Sequence, residues 1–331
     1  MNNSNISSSF DPSAWPFSAA NAWTTAIVFK TWPVILLFGL LANMINIVVF
    51  IRAGIKDNVT ISLFSLSMSD LMFLFLNLPT VSTLVVVQIH PDWPWRNNIV
   101  VVEKTLYWPA FTFYDFSSYV SVWLGVTRCA CVAMPLQFKS VFTKARTVKA
   151  VLFLFVIAVS LRLPIIVVQS YLARLDPIQL TVNRFNDILN RSILPWLTFI
   201  IMIACVCIMR VKLYQASAVR SSHTSAAATD SKQEADGLDT HAKSSKEFRV
   251  VQLVFLICCI FILSQLLFLV YSTVRIFVPD FDLYKRLHNL LLVCAHIGRT
   301  FSFLNASVNI FVYYNYNSKY RSIFLSMLKP K

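Results

Sequence analysis

The chain has 331 residues, 57% of them hydrophobic and only 13% charged. A soluble domain carries about 25% charge, so this composition argues against a water-soluble enzyme and for a membrane protein. The net charge of +14 would suit nucleic acid, but the basic residues sit between long apolar runs, as in an inserted protein, and no nucleic-acid partner is expected.

Residues 1–28 are polar and are expected to form an extracellular tail. Asn2 and Asn5 each begin an Asn-x-Ser sequon; they are glycosylation acceptors if this end is outside, or chance in an Asn/Ser-rich tail. The tail lacks a positive start followed by a short apolar core, so the first span is expected to direct insertion itself. Apolar runs follow at about 30–51, 60–87, 106–128, 148–170, 191–210, 250–275 and 286–314. Each is long enough to cross about 30 Å of hydrocarbon as a helix, which predicts an all-α membrane protein with a seven-helix bundle over residues 29–314. Pro33, Pro79, Pro164 and Pro195 lie within or near the ends of these runs, which membrane helices tolerate.

The third run carries Asp115 near its middle and Arg128 at its far end, with Ser117, Ser118 and Ser121 between them. A charge at mid-bilayer costs about 2.5–3.5 kcal/mol on insertion scales, so this helix belongs inside a bundle. Lys and Arg concentrate in alternate connecting segments and in the tail: Arg52, Lys56, Lys139, Lys144, Arg146, Arg210, Lys243, Arg249, Lys319 and Arg321 among them. That bias predicts the N-terminus outside and the C-terminus in the cytoplasm. Residues 215–247, rich in Ser, Ala and Thr with mixed charge, read as a flexible cytoplasmic loop. Within residues 315–331, Tyr320, Ile323, Phe324 and Met327 recur at helical spacing, predicting a short amphipathic helix lying on the inner leaflet. The segments placed outside hold no cysteine, so no extracellular disulfide is available.

Asn43, Asn46, Asp70, Asp115, Ser117, Asn305 and Asn309 all fall at membrane depth. The stretches LLANMIN around Asn43, LSMSDL around Asp70, VTRCACVAMPL around Arg128 and NASVNIFVYY from Asn305, with Phe261 midway along the sixth span, resemble the rhodopsin-like (class A) G-protein-coupled receptors. The likeness covers all seven spans in order. IRAGIKDNVTISLFSLSMSDL and CVAMPLQFKSVFT look most like invertebrate (molluscan) chemosensory-type receptors, with FMRFamide-type neuropeptide receptors nearby.

The resemblance implies a plasma-membrane receptor that binds an extracellular small molecule or peptide and activates a heterotrimeric G protein. It also implies a sodium ion, the one cofactor expected, as allosteric modulator at Asp70, Ser117, Asn305 and Asn309, though Ala306 stands where the family usually has serine. Arg128, Tyr313 and Phe261 would serve activation and G-protein coupling. Thr127 replaces the acid usually beside Arg128, which leaves Glu247 as its neutralising partner. Glu103 occupies the place of the family's third-span cysteine, so the second outer loop is expected to be held by packing alone. Ser264-Gln265-Leu266-Leu267 replaces the family's tryptophan-and-proline pair in the sixth span.

On the ligand side, amine receptors carry an aspartate eighteen residues before Arg128, and here that position is Ala110. Residues 286–314 contain no lysine, so a retinal Schiff base is excluded. The outer half offers Arg299, Arg275, His296 and Arg162, with Asp115 and Glu103. Two readings stand: the arginines clamp an anionic ligand, or Arg299 pairs with Asp115 or Glu103 as a structural salt bridge. Two rival classes are weaker. Tyr114-Asp115 matches the YD motif of intramembrane aspartyl proteases, but the five glycines supply no GxGD partner. A transporter would show internal repeats and matched broken helices, and the chain has neither.

Overall fold

The structure, a computed structural model, describes residues 27–90, 99–134, 140–171, 177–226, 234–282 and 285–328. Seven helices within it are long and apolar enough to cross a membrane. The first, Trp32–Ala53, starts with Pro33 in its opening turn, where the missing N–H costs nothing, and stops at Gly54, whose φ of 76° few other residues adopt. Asp57 caps the second, Asn58–Ile89, by accepting from the Thr60 backbone N–H at 2.8 Å. The third is Ile99–Ala133, the fourth Lys144–Tyr171, the sixth Glu234–Phe277 and the seventh His288–Tyr316. Ser318–Leu328 forms a short terminal helix.

The fifth span is built differently. An amphipathic helix, Pro177–Ile188, runs through a π-helical turn at Leu189–Ile193 into Leu194–Ala226. The fifth and sixth helices also continue into the segment read as a loop, leaving residues 227–233 outside the described residues. Ala-rich sequence with Lys and Glu has high helix propensity, and anchored helix ends propagate into it more readily than an isolated peptide would nucleate.

The third span packs against the second, fourth, fifth and sixth. More than half of its most apolar stretch is buried (56%), the largest share in the bundle, as its internal charge demands. Outward faces carry Leu37, Leu41, Phe153, Val156 and Leu263, all exposed, as lipid-facing helices require. One core cluster, around Phe50, Leu66, Leu124, Phe261 and Tyr313, fills the Arg128 end of the bundle. A second, around Trp32, Phe73, Tyr114 and Phe303, fills the Trp32 end. Gly39 lies where the first, second and seventh spans converge: a Cβ there would stand 2.1 Å from Ser307 Oγ and 2.6 Å from Leu74 Cδ1.

The terminal helix also packs on the bundle. Tyr320 is fully buried, and its hydroxyl donates to Asn46 Oδ1 at 2.6 Å. Ile323, Phe324 and Met327 rest on the same core cluster. The apolar face therefore seats on the bundle, while Lys319, Arg321, Leu325 and Leu328 are exposed.

Candidate ligand cavity and activation core

A cavity of about 270 Å³ opens at the Trp32 end between the third, fifth, sixth and seventh spans. Its walls include Tyr107, Phe111, Phe268, Tyr271 and Leu291, and three arginines, Arg191, Arg275 and Arg299. Apolar walls with a few convergent polar groups are what a small-ligand site requires. Gly298 helps shape it: a Cβ there would come within 2.9 Å of the Tyr271 ring, so the missing side chain lets that ring lie on the seventh span.

Arg299 sits on an aromatic floor. Its guanidinium carbon lies 5.1 Å from the Tyr107 ring centre, 5.4 Å from Trp32 and 5.8 Å from Phe303, each a favourable cation–π position. Nη2 donates to Asn77 Oδ1 at 2.6 Å, while Nε is buried without a hydrogen-bond partner. Trp32 is itself fixed, donating from Nε1 to Thr300 Oγ1 at 2.9 Å and meeting the His296 ring edge-on at 5.4 Å. No ion pair among the described residues involves Arg299.

The other two arginines are engaged. Asp187 lies 3.3 Å from Arg191, one turn along the helix, and 3.4 Å from Arg275. Arg275 also meets Asp282 at 2.9 Å. Arg191 falls within the π-helical turn, whose wider winding shifts the register of side chains on either side. That turn directs Arg191 to the cavity and buries its neighbour Asn190.

Asp115 and Arg162 form a separate centre. The guanidinium grips the carboxylate through two bonds, Nε–Oδ2 at 2.5 Å and Nη2–Oδ1 at 3.1 Å, and Nη1 donates to Asn186 Oδ1 at 3.0 Å. Asn190 donates in turn to the Leu161 carbonyl at 3.0 Å and to Asn186 Oδ1 at 3.2 Å. Asp115 thus takes Arg162, not Arg299, as its counter-ion. The same network, with Gln169–Asn183 at 3.0 Å and the Asp187–Arg275 pair, ties the Pro177–Ile188 helix to the fourth and sixth spans. All seven cysteines are free, so polar and ionic contacts, beyond packing alone, hold this segment in place.

Midway along the bundle, Asp70 is buried and accepts from Ser117 Oγ at 2.6 Å and Asn309 Nδ2 at 2.9 Å. Three spans therefore meet on one carboxylate that has no ion-pair partner among the described residues. Asn305 lies one turn above Asn309 and is half-buried. A lone carboxylate among neutral oxygens fits a small hard cation such as sodium, which Ser117 Oγ and the Asn side-chain oxygens would help to hold.

Toward the other end, Arg128 is buried and Thr127 Oγ1 donates to its own helix at Leu124 O, 2.9 Å away. Tyr313 is fully buried against Phe50 and Tyr320, at ring distances of 5.2 and 5.7 Å. Phe261 is buried in the same cluster. The side chains of Glu247 and Glu103 lie outside the described residues, as do Asn2, Asn5 and residues 91–98.

The structure thus brings Arg299, Arg275 and His296 to one cavity and sets Asp115 and Arg162 apart from it. Sequence reasoning misses Arg191, which opens the fifth apolar run, and Asp187 just before it; the one available signal is their four-residue spacing, which pairs opposite charges on a helix. With these seven spans, a buried mid-bundle carboxylate and a cavity at one end, the match to a known family falls into place. Residues 42–313 match the family of 7 transmembrane receptors (rhodopsin family), and the chain belongs to that family. It is accordingly a multi-pass membrane receptor. No curated protein matches the sequence.

Proposed function

We propose that this receptor sits in the plasma membrane with its N-terminus outside, takes an anionic ligand into the cavity at the Trp32 end, and activates a heterotrimeric G protein at the Arg128 end. The Lys/Arg bias of the connecting segments supports the orientation. The observation that carries the ligand reading is Arg299: a guanidinium inside the cavity, seated on three aromatic rings, with a buried Nε that lacks a partner and with no carboxylate beside it among the described residues. A carboxylate-bearing ligand would supply that counter-charge through a charge-assisted bond. A chemosensory small molecule or a short peptide would both fit; the two runs resembling molluscan chemosensory-type receptors favour the former, with an FMRFamide-type neuropeptide second. Sodium at Asp70 would bias the resting state.

The test is a cell reporter with a promiscuous G protein, screened with small carboxylic acids, amino acids and amidated peptides. Responses confined to carboxylate ligands, and weakened by Arg299→Lys, support the proposal. A potent cationic or neutral agonist indifferent to Arg299 refutes it.

A further inference from the structure

The arrangement of charge around the cavity says more than that an anion binds. Three guanidinium groups line it, and two of them converge on one carboxylate. Asp187 Oδ1 lies 3.3 Å from Arg191 and Asp187 Oδ2 3.4 Å from Arg275, while Asp282 takes a further position on Arg275 at 2.9 Å. Arg191 also faces the Phe268 ring at 6.0 Å. Two carboxylates therefore answer two arginines, and Arg299 remains as one positive charge with no described acid beside it.

We infer that Asp187 sets the charge of the ligand: it acts as a resident anion on Arg191 and Arg275, so the cavity takes a monoanion at Arg299 and rejects a dianion. This rests on reading the cavity as the ligand site. The physical basis is that a second anionic group would have to displace Asp187 or lie beside it uncompensated, and like charges in a partly dry site repel strongly. Asp187 is suited to the role because it pairs with two arginines of the cavity wall and keeps part of its own surface exposed (29%). Removing its charge leaves Arg275 with Asp282 and frees Arg191, whose side chain is 16% exposed, to meet a second anionic group. The aromatic walls select an unsaturated or aromatic body for the ligand.

Purified full-length receptor in lipid nanodiscs tests this with three probes of one shape class: 3-phenylpropionate as monoanion, 3-phenylpropionamide as its neutral analogue, and phenylsuccinate as dianion. Binding is read from ligand-dependent thermal shifts. The wild type is expected to bind 3-phenylpropionate about tenfold or more tightly than either of the others. Asp187→Asn should raise phenylsuccinate affinity about tenfold and leave 3-phenylpropionate nearly unchanged, and adding Arg191→Gln should cancel that gain. A wild type that prefers the dianion or the amide, one that binds no 3-phenylpropionate, or a selectivity ratio unmoved by Asp187→Asn overturns the inference. Leu291→Trp fills the cavity without touching a charge and separates the two readings. Binding of 3-phenylpropionate that survives Leu291→Trp refutes the cavity as the site. Binding abolished by Leu291→Trp, with selectivity still indifferent to Asp187, refutes only the charge assignment.

Discussion

Arg162 and Arg299 are the same side chain in two electrostatic situations, and their variants should fail differently. Arg162 is 1% exposed and clamps Asp115, whose side chain is 13% exposed. Removing one member of such a pair leaves an uncompensated buried charge, a loss of about 3–5 kcal/mol, whereas replacing both by apolar groups is often neutral. Arg162→Ala is therefore expected to lose most of its surface expression, and Arg162→Met combined with Asp115→Leu to recover it, read by surface immunostaining at matched transcript levels. Arg299 holds Asn77 and aromatic rings, so Arg299→Ala should still reach the surface. Arg299→Lys keeps the charge but loses the planar fork. Agonist potency should then fall about 10- to 100-fold, the worth of a charge-assisted bond. Residue types were legible in the sequence because charges inside apolar runs are conspicuous. Pairings were not: Asp115 could reach Arg162 or Arg299 by depth alone, and only the rotation of the fourth span about its axis decides between them.

At the scale of elements, apolar runs long enough to span are strong signals, and all seven lie on helices, although the third helix starts earlier and the fifth and sixth run on into the segment read as a loop. Shorter elements depend on contacts that composition does not encode. The Pro177–Ile188 helix is amphipathic with little net apolarity, and it is stabilised by Arg162, Gln169 and Arg275 from the fourth and sixth spans. The terminal helix shows the reverse limit. Its apolar spacing was visible, but the hydroxyl of Tyr320 finds Asn46 in the first span, and burial pushes that phenol upward so that it stays a donor. Close packing of elements turns on small residues. A methyl at Gly39 would overlap Ser307 and Leu74, so Gly39→Ala is expected to lower thermal stability in detergent by about 1–3 kcal/mol through overpacking of the first, second and seventh spans. Gly39→Ser should do no better, and unchanged melting in either variant would show that the spans can separate freely there.

For the molecule as a whole, the question is how a charge at the ligand end could alter the Arg128 end, and Asp70 stands between them. It joins the second span to Ser117 of the third and Asn309 of the seventh. Asn309 is four residues from Tyr313, which packs on Phe50 and Tyr320 in the core of the far end. Asp115, two residues before Ser117, belongs to the network that fixes the Pro177–Ile188 helix beside the cavity. A change in either span's position therefore shifts the carboxylate's partners, and a cation held there would favour whichever arrangement brings most oxygens to it. If sodium binds this site in the resting arrangement, it must oppose the agonist, because coupling between two binding equilibria is reciprocal. Replacing choline by sodium at constant ionic strength should then weaken agonist affinity several-fold in the wild type, within the usual 5- to 150-fold scale of such couplings, roughly. Asp70→Asn keeps the shape and some of the hydrogen bonding but removes the charge that holds the cation. Its agonist affinity should be the same in both salts. Arg299→Lys provides the control, because it weakens the agonist at the cavity and leaves the sodium effect intact. A wild-type receptor whose agonist affinity ignores sodium, or an Asp70→Asn variant that retains the full response, would place Asp70 as a structural knot between three spans and nothing more.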